Sequence, residues 1–196
     1  MTVSSEIGEA LQESTRLFEK LGIQYAIGGA VAMAFGGYPR ATRDIDVLIL
    51  LPALRSQELA DAMNATGFHM RDEMEHEVPV EVPRMLASSR EFGHFRIWWK
   101  QVKIEVFTPR VPIQDSALKR RSKVAYGSES LWITTVEDLI LLKMIFHRSK
   151  DIEDVRRLIE SNRSSLDFGY LESWIPKTLP DAVGAELLEM LKPAGR

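Results

Sequence analysis

The apolar segment IDVLILL, residues 45–51, constrains the fold of this chain most. The second half of the segment is apolar on both faces of a strand, and such strands lie in the middle of a sheet that is covered on both sides. Apolar residues recur at helical spacing before this strand, over residues 7–21, and after it, over residues 53–65. The alternation of helix and strand predicts an α/β fold with IDVLILL near the centre of a small mixed sheet.

The other predicted strands are short runs of β-branched and aromatic residues. They are IQYAIG at 23–28, the paired runs FRIWW at 95–99 and VKIEVF at 102–107, and the paired runs KVAYG at 123–127 and SLWIT at 130–134. A helix is predicted after Gly29, ending at Gly36-Gly37. Residues 71–93 mix charges and prolines without a sustained period, which predicts an irregular excursion or mobile loop.

The last part of the chain is predicted to be helical. Thr134-Thr135-Val136-Glu137 has the form of a capping box that opens a helix through LILLKMIF, and DIEDVRRLIESN at 151–162 predicts the next helix. No linker separates these helices from the strands. We therefore expect one compact unit, with a core over residues 1–133 and a C-terminal helical portion over residues 134–196.

Charge and cysteine content exclude several classes of function. The chain has 28 acidic and 25 basic residues and a formal net charge of −3. Its net charge therefore provides no overall electrostatic attraction to nucleic acid or to an anionic membrane. A nucleic acid would need a local patch such as KRRSK at 119–123, a run that is more often a solvated face. The absence of cysteine excludes disulfides and thiolate metal sites. With no signal-peptide pattern and no run long enough to span a membrane, we expect a cytoplasmic protein.

Two aspartates at the start of the central strand are the strongest candidates for chemistry. Asp44 and Asp46 point to the same face, with Cα atoms roughly 6.5 to 7 Å apart, so both can reach one divalent cation that relieves their repulsion. Glu105, inside VKIEVF, can supply a third carboxylate if its strand lies beside IDVLILL. Three oxygen donors of this kind suit Mg²⁺ or Mn²⁺. Alone, the aspartate pair is more often a solvated strand end or a helix-cap cluster.

A glycine pair and several cations complete the candidate site. Gly28 and Gly29 let the backbone approach a phosphate closely, at the start of a helix whose N–H groups point outward. Arg40 and Arg43 lie near the aspartates and either contact phosphate or pair with those carboxylates. Lys143 stands alone on an apolar helix and by default extends to solvent.

These features together resemble a known family. The pattern of strand, Gly-Gly, short helix, Arg-x-Thr-x-Asp-x-Asp, strand and a later acidic residue is similar to the nucleotidyltransferase superfamily of DNA polymerase beta. GGAVAMAFGGYPRATRDIDVLI most resembles bacterial stand-alone members of abortive-infection and toxin–antitoxin systems. The later run KMIFHRSKDIEDVRRLIE resembles the family's downstream helix pair. The resemblance covers roughly residues 20–160.

The resemblance implies a nucleotidyltransferase fold, an NTP substrate and a set of site residues. It makes Asp44, Asp46 and Glu105 the catalytic and metal-binding carboxylates. The glycine pair would hold the triphosphate, Lys143 would face its phosphates, and Arg40, Thr42 and Arg43 belong to the same motif. Position 29 is glycine where the family often has serine, and Glu105 stands where it often has aspartate.

Three functional hypotheses remain open at this point. The first is Mg²⁺-dependent transfer of a nucleoside monophosphate from NTP to RNA or protein, in a toxin–antitoxin or phage-defence system. The second is a catalytically weak or inactive nucleotide-binding or partner-binding module of the antitoxin type. Its partner would be a toxin or antitoxin protein, and the chain could also form oligomers. The third is modification of an antibiotic, to whose acidic acceptor pocket the run from Asp72 to Glu81 would contribute.

Overall fold

The computed structural model describes residues 5–192, and within them eight strands form one sheet in the order β4-β3-β5-β6-β2-β1-β8-β7. The strands are β1 Tyr25–Ile27, β2 Asp44–Ile49, β3 Phe68–Arg71, β4 Glu77–Val78, β5 His94–Trp99, β6 Val102–Phe107, β7 Ser122–Tyr126 and β8 Glu129–Ile133. β2 pairs parallel with β6, β1 pairs parallel with β8, and the other pairs are antiparallel. The predicted mixed sheet, and the interior place of IDVLILL in it, are confirmed.

Nine helices lie in the described residues. They are α1 Ser5–Lys20, α2 Gly29–Phe35, α3 Ser56–Ala65, α4 Val82–Phe92, α5 Pro112–Arg120, α6 Val136–Phe146, α7 Ser149–Asn162, α8 Phe168–Thr178 and α9 Asp181–Leu191, and a 3₁₀ turn, Ala53–Arg55, leads into α3. None of these helices is long and apolar enough to cross a membrane. The described range leaves out residues 1–4, at the start of the predicted core, and residues 193–196, at the end of the predicted helical portion.

The two faces of β2 have different surroundings. Ile45 and Val47 are buried in the main hydrophobic core, and α1 packs against β2 and β6. On the opposite face Leu48 belongs to a small second cluster with residues of α5 and α6. Asp44 and Asp46 share that face but lie towards the start of the strand, beyond this cover. One end of this sheet face is therefore left open for a site.

Helix α6 runs through the middle of the C-terminal helices, and α2, α5, α7 and α8 all contact it. This explains why its sequence is apolar nearly all round. The helix begins after Thr135, whose hydroxyl caps it by accepting a hydrogen bond from the backbone N–H of Asp138 at 3.4 Å. The cap is therefore one residue later than the predicted capping box.

The expectation of an irregular segment over residues 71–93 is wrong for much of its length. Strand β4 pairs with β3, and α4 occupies Val82–Phe92. Pro83 lies in the first turn of α4, where a missing backbone N–H costs no hydrogen bond, and Gly93 ends the helix with φ +78°. The helix was hidden from the sequence because Met85 is its one fully buried residue, so it carries little apolar periodicity.

Candidate active site

The three predicted carboxylates lie together on adjoining strands. In the parallel pairing of β2 with β6, Asp44 stands opposite Lys103 and Asp46 stands opposite Glu105. These residues alternate with buried ones, so all four side chains project from the same open face of the sheet. The condition set by the sequence, that the strand of Glu105 must lie beside IDVLILL, is met.

Lys103, which the sequence analysis did not select, places an ammonium group between two of the carboxylates. Its Nζ lies 3.3 Å from Asp44 Oδ2 and 3.1 Å from Glu105 Oε1. Arg96 Nε on β5 also donates to Glu105 Oε1 at 3.1 Å. The signal was available in the sequence, because Lys103 stands two residues before Glu105 and must share its face.

Thr42 holds the carboxylate of Asp44 in place. The Thr42 hydroxyl oxygen lies 2.8 Å from Asp44 Oδ1 and 2.9 Å from the carbonyl oxygen of the same residue. Partial burial raises the pKa of Asp44, but the hydrogen bonds from Thr42 and Lys103 outweigh it and leave this pKa below its ordinary value. Asp44 is therefore ready to act as an anion at any neutral pH.

Asp46 has the opposite electrostatic character. Burial, followed by the negative charges of Asp44 and Glu105, raises the pKa of Asp46 from 3.8 to about 6. The positive charges of Lys143 and Lys103 offset only part of this increase, and within residues 5–192 the carboxylate accepts no hydrogen bond and forms no ion pair. The folded protein thus keeps an anion in an unfavourable place, which is common at functional sites.

The second glycine of the pair makes room for this aspartate. A Cβ atom at position 29 would stand 1.8 Å from Asp46 Oδ2, and Gly29 has φ +53°, a conformation that other residues rarely adopt. A serine at position 29 would therefore collide with Asp46. Gly28 has a different role, because its backbone N–H donates to the Asp46 carbonyl at 2.8 Å and is not free for a phosphate.

Lys143 lies in a buried ion-pair network instead of extending to solvent. Its Nζ is 2.6 Å from Asp154 Oδ2 and 3.7 Å from Asp151 Oδ1, and all three residues are buried. Asp151 also accepts a 2.5 Å hydrogen bond from Arg148 Nε. Loss of Lys143 would leave two buried carboxylates short of a cation, so we expect this lysine to contribute to folding as well.

The predicted arginines lie at the edge of the site. Arg40 Nε is 3.3 Å from Asp154 Oδ1, so Arg40 extends the Lys143 network and does not pair with Asp44 or Asp46. Arg43 is exposed and makes no ion pair within residues 5–192. Arg148, which the sequence analysis did not select, is better placed: Asp46 and Glu105 are among the charges that raise its pKa.

Some of the residues described above line a pocket of about 310 Å³. Its floor holds Gly28, Gly29, Asp46 and Glu105, and Lys143 and Arg148 stand on the side formed by α6 and the start of α7. Aromatic rings also line the pocket: Phe107 lies next to His94, with ring centroids 5.1 Å apart, and next to Phe146 of α6, at 6.4 Å. The pocket therefore combines carboxylates, cations and aromatic rings.

The donor set suits a divalent cation, although the side chains are arranged around lysine. Among the described residues, no three His, Asp or Glu side chains are grouped so that they could hold one metal ion. The ammonium of Lys103 instead occupies the space between Asp44 and Glu105, and a positive group at that point is what a metal ion would supply. Carboxylate oxygens are the ligands that Mg²⁺ and Mn²⁺ prefer, so Asp44 and Glu105 could bind such an ion if their side chains exchanged Lys103 for it.

Comparison with family models and with curated proteins finds no match for this chain. Solved structures do match it. An antigenic nucleotidyltransferase-like protein from Paracoccidioides brasiliensis shares 16% identity over 96% of this chain and 93% of its own, with a TM-score of 0.56. ANT(2'')-Ia in complex with adenylyl-2''-tobramycin shares 13% identity over 94% of this chain and 98% of its own, with a TM-score of 0.54.

The solution structure of the antibiotic-resistance factor ANT(2'')-Ia gives a TM-score of 0.52 at 13% identity, over 94% of this chain and 88% of its own. Identities this low establish a shared fold and do not transfer a substrate. The predicted α/β fold class is confirmed: this chain has the nucleotidyltransferase fold.

Proposed function

We propose that this protein is a Mg²⁺-dependent nucleotidyltransferase that moves a nucleoside monophosphate from an NTP to an acceptor hydroxyl. One observation carries the proposal: Asp44, Asp46 and Glu105 project from the same face of adjoining parallel strands, and Asp46 and Glu105, in direct register, both line one pocket. Asp46 remains unpaired and destabilised there, although a chain selected only for stability gains nothing from such a group. The shared fold supports the same conclusion.

Each side chain has a role in this reaction. Asp44 and Asp46 would hold the cation, which would neutralise charge on the triphosphate and polarise the attacked phosphorus. Arg148, 57% exposed at the pocket wall, would bind triphosphate oxygens, with Lys143 behind it holding Asp151 in place. Gly29 would keep the space that Asp46 needs.

The bond changes are those of an in-line displacement. The acceptor hydroxyl oxygen forms a bond to the α-phosphorus, the bond from that phosphorus to the bridging oxygen breaks, and pyrophosphate leaves. The proton of the hydroxyl passes to Glu105, the carboxylate opposite Asp46 in the strand pairing, and from there to water. Glu105 must first exchange its contacts with Lys103 and Arg96.

The test uses NTPs labelled at different phosphates. The protein is incubated with Mg²⁺, total cellular RNA and protein, and NTP carrying the label at either the α or the γ position. Nucleotidyl transfer places the α label on an acceptor and releases the γ label as pyrophosphate. A kinase would instead place the γ label on the acceptor and leave the α label in the NDP. Asp46→Asn and Glu105→Gln should abolish labelling, and Asp61→Asn, at an exposed site on α3, should not.

The same experiment separates the enzyme from the antitoxin-type module. A module of that type would bind NTP and label nothing, and Asp46→Asn would then leave its behaviour unchanged. That result would contradict the proposed reaction. A role in a toxin–antitoxin or phage-defence system, a partner protein and a cytoplasmic location remain predictions from the sequence.

A further inference from the structure

A second groove opens directly from the carboxylate pocket. It has a volume of about 280 Å³, lies over β3, β5 and α4, and shares Phe92, His94 and Arg96 with the pocket. Arg96 joins the two spaces, because its Nε donates to Glu105 while its side chain lines the groove. We call this space the arginine groove, after Arg71, Arg84 and Arg96 in its lining. A molecule in it would have one end beside Glu105.

The arginine groove has a cationic character. Its two acidic lining residues, Asp72 and Glu75, are already engaged. Asp72 Oδ1 accepts the backbone N–H groups of Met74 and His76, both at 2.9 Å, and Glu75 Oε2 lies 3.3 Å from Arg71 Nη1. Asp72 and Glu75, from the acidic run that was expected to contribute to an antibiotic acceptor pocket, therefore stabilise their own turn instead.

The arginines retain unused hydrogen-bonding capacity. Arg84 makes no hydrogen bond or ion pair within the described part of the chain. Arg71 donates from Nη2 to Gln101 at 3.0 Å, but its Nε is buried and has no acceptor. Donors of this kind match phosphate oxygens, which accept several hydrogen bonds in the geometry that guanidinium groups offer.

Aromatic side chains lie between the arginines. Phe92 is 62% exposed at the junction of the groove and the pocket, so its ring is accessible to a ligand in either space. Trp98 lines the groove, and the guanidinium carbon of Arg71 lies 5.0 Å from its ring centroid. An exposed ring, that of Phe92, and the unpaired guanidinium group of Arg84 together form the kind of surface that binds the bases and phosphates of single strands.

We propose that the arginine groove is the acceptor site and that the acceptor is the 3′ end of a nucleic-acid strand. This proposal rests on the proposed function. The terminal 3′ hydroxyl would lie beside Glu105, the preceding phosphates would bind Arg84 and Arg71, and a base would stack on Phe92. The hydroxyl oxygen then forms its new bond to the α-phosphorus of the NTP as pyrophosphate leaves, so the strand grows by one nucleotide.

Two other acceptor surfaces fit the structure less well. A polycationic antibiotic would meet three arginines against two engaged carboxylates, which repels it. The basic run at 119–123 is distant in the sheet, since β7 lies at the edge opposite to β4 and β3. Its Arg120 is paired with Glu137 and Asp138, and Arg121 lies over the ring of Trp132.

The first experiment measures binding without NTP, so it does not depend on catalysis. Fluorescence anisotropy follows single-stranded RNA and DNA of about 12 nucleotides, a length within the range of known single-strand sites, between about 50 and 200 mM salt. Arg84→Ala should weaken binding of the RNA, the DNA or both, and should reduce the slope of log K against log salt by about 0.7, the value for one phosphate contact on a single strand. Arg90→Ala is the matched control, because Arg90 is exposed on the same helix outside the groove.

The second experiment measures transfer of α-labelled NMP to the same strands. Label should join strands that end in a 3′ hydroxyl and should be missing from strands that end in a 3′ phosphate. The RNA and DNA arms show which sugar is accepted, and an aminoglycoside arm tests the polycationic alternative.

The outcomes separate this proposal from the proposed function. Equal binding and equal salt slopes for Arg84→Ala and Arg90→Ala would overturn the groove assignment. Transfer to an aminoglycoside or a protein but to no strand would also overturn it, while the nucleotidyltransferase function would stand. Groove-dependent binding with no NMP transfer to any acceptor would contradict the proposed function and, with it, the acceptor role of the groove.

Discussion

Replacement of Asp46 by asparagine tests the electrostatic character of the site directly. The pKa of Asp46 is raised from 3.8 to about 6 by burial and by its two acidic neighbours. The folded state therefore binds this proton more tightly than the unfolded state, so stability falls as the pH rises through the interval between these two values. Well above pH 6 the charged carboxylate destabilises the folded protein to its full extent. A difference of about two pKa units corresponds to roughly 3 kcal/mol in the free energy of unfolding.

Asparagine has nearly the same shape and no charge, so it should remove the penalty. In the presence of a chelator, Asp46→Asn should be more stable than the parent by up to about 3 kcal/mol at pH 8, and by about half of that at pH 5, where the parent is mostly protonated. For a chain of this size a gain of 1 kcal/mol raises Tm by roughly 2 to 4 °C. Denaturant unfolding at the two pH values measures the difference, with Asp61→Asn as the exposed control.

Ligands should reverse the order of stability. Mg²⁺ with NTP should raise the Tm of the parent, because both bind the folded state alone, and should leave Asp46→Asn unchanged. Three results would refute the reasoning: a variant that unfolds more easily than the parent without ligands at pH 8, a stability gain that is the same at pH 5 and pH 8, or equal stabilisation of both proteins by Mg²⁺ and NTP.

Three further variants test the positions around this aspartate. Gly29→Ala should lower the free energy of unfolding, measured with denaturant, by at least about 1 to 2 kcal/mol, because alanine must then adopt a left-handed backbone conformation. It should also abolish transfer in the labelling assay, because its Cβ displaces Asp46. Lys143→Met should lower the free energy of unfolding, measured with denaturant, by about 3 to 5 kcal/mol, because it breaks a buried ion pair. Lys103→Met should raise Mn²⁺ affinity about fivefold in an electron paramagnetic resonance titration, because an ion pair of about 1 kcal/mol no longer competes with the metal.

Matched controls make these three outcomes decisive. Gly28→Ala should be milder than Gly29→Ala, because its Cβ would meet no atom closer than 3.9 Å. Lys150→Met, at an exposed lysine, should leave stability unchanged where Lys143→Met reduces it. Equal effects within either pair, or an unchanged Mn²⁺ affinity in Lys103→Met, would contradict the geometry described for the site.

The sequence alone determined the features that depend on local periodicity. A residue's face on a strand follows from odd and even positions, so Asp44 and Asp46 had to share one face and the apolar half of IDVLILL had to be enclosed. The same rule placed Glu105 outside the apolar face of its own strand. The ends of α1 and α3 were also predictable, because Gly22 and Gly67, which follow them, adopt the positive φ that few other residues tolerate.

Only the tertiary structure decided which of these local features meet. Whether β6 lies beside β2, and in which register, depends on the packing of the whole sheet, and that register sets Asp46 opposite Glu105 and Lys103 opposite Asp44. Lys143 became a buried ion-pair partner because α7 brings two aspartates against α6, which no pattern within α6 predicts. The arginine groove is likewise built from β3, β5 and α4, which are separate in the sequence and come together because non-local packing decides which elements are neighbours.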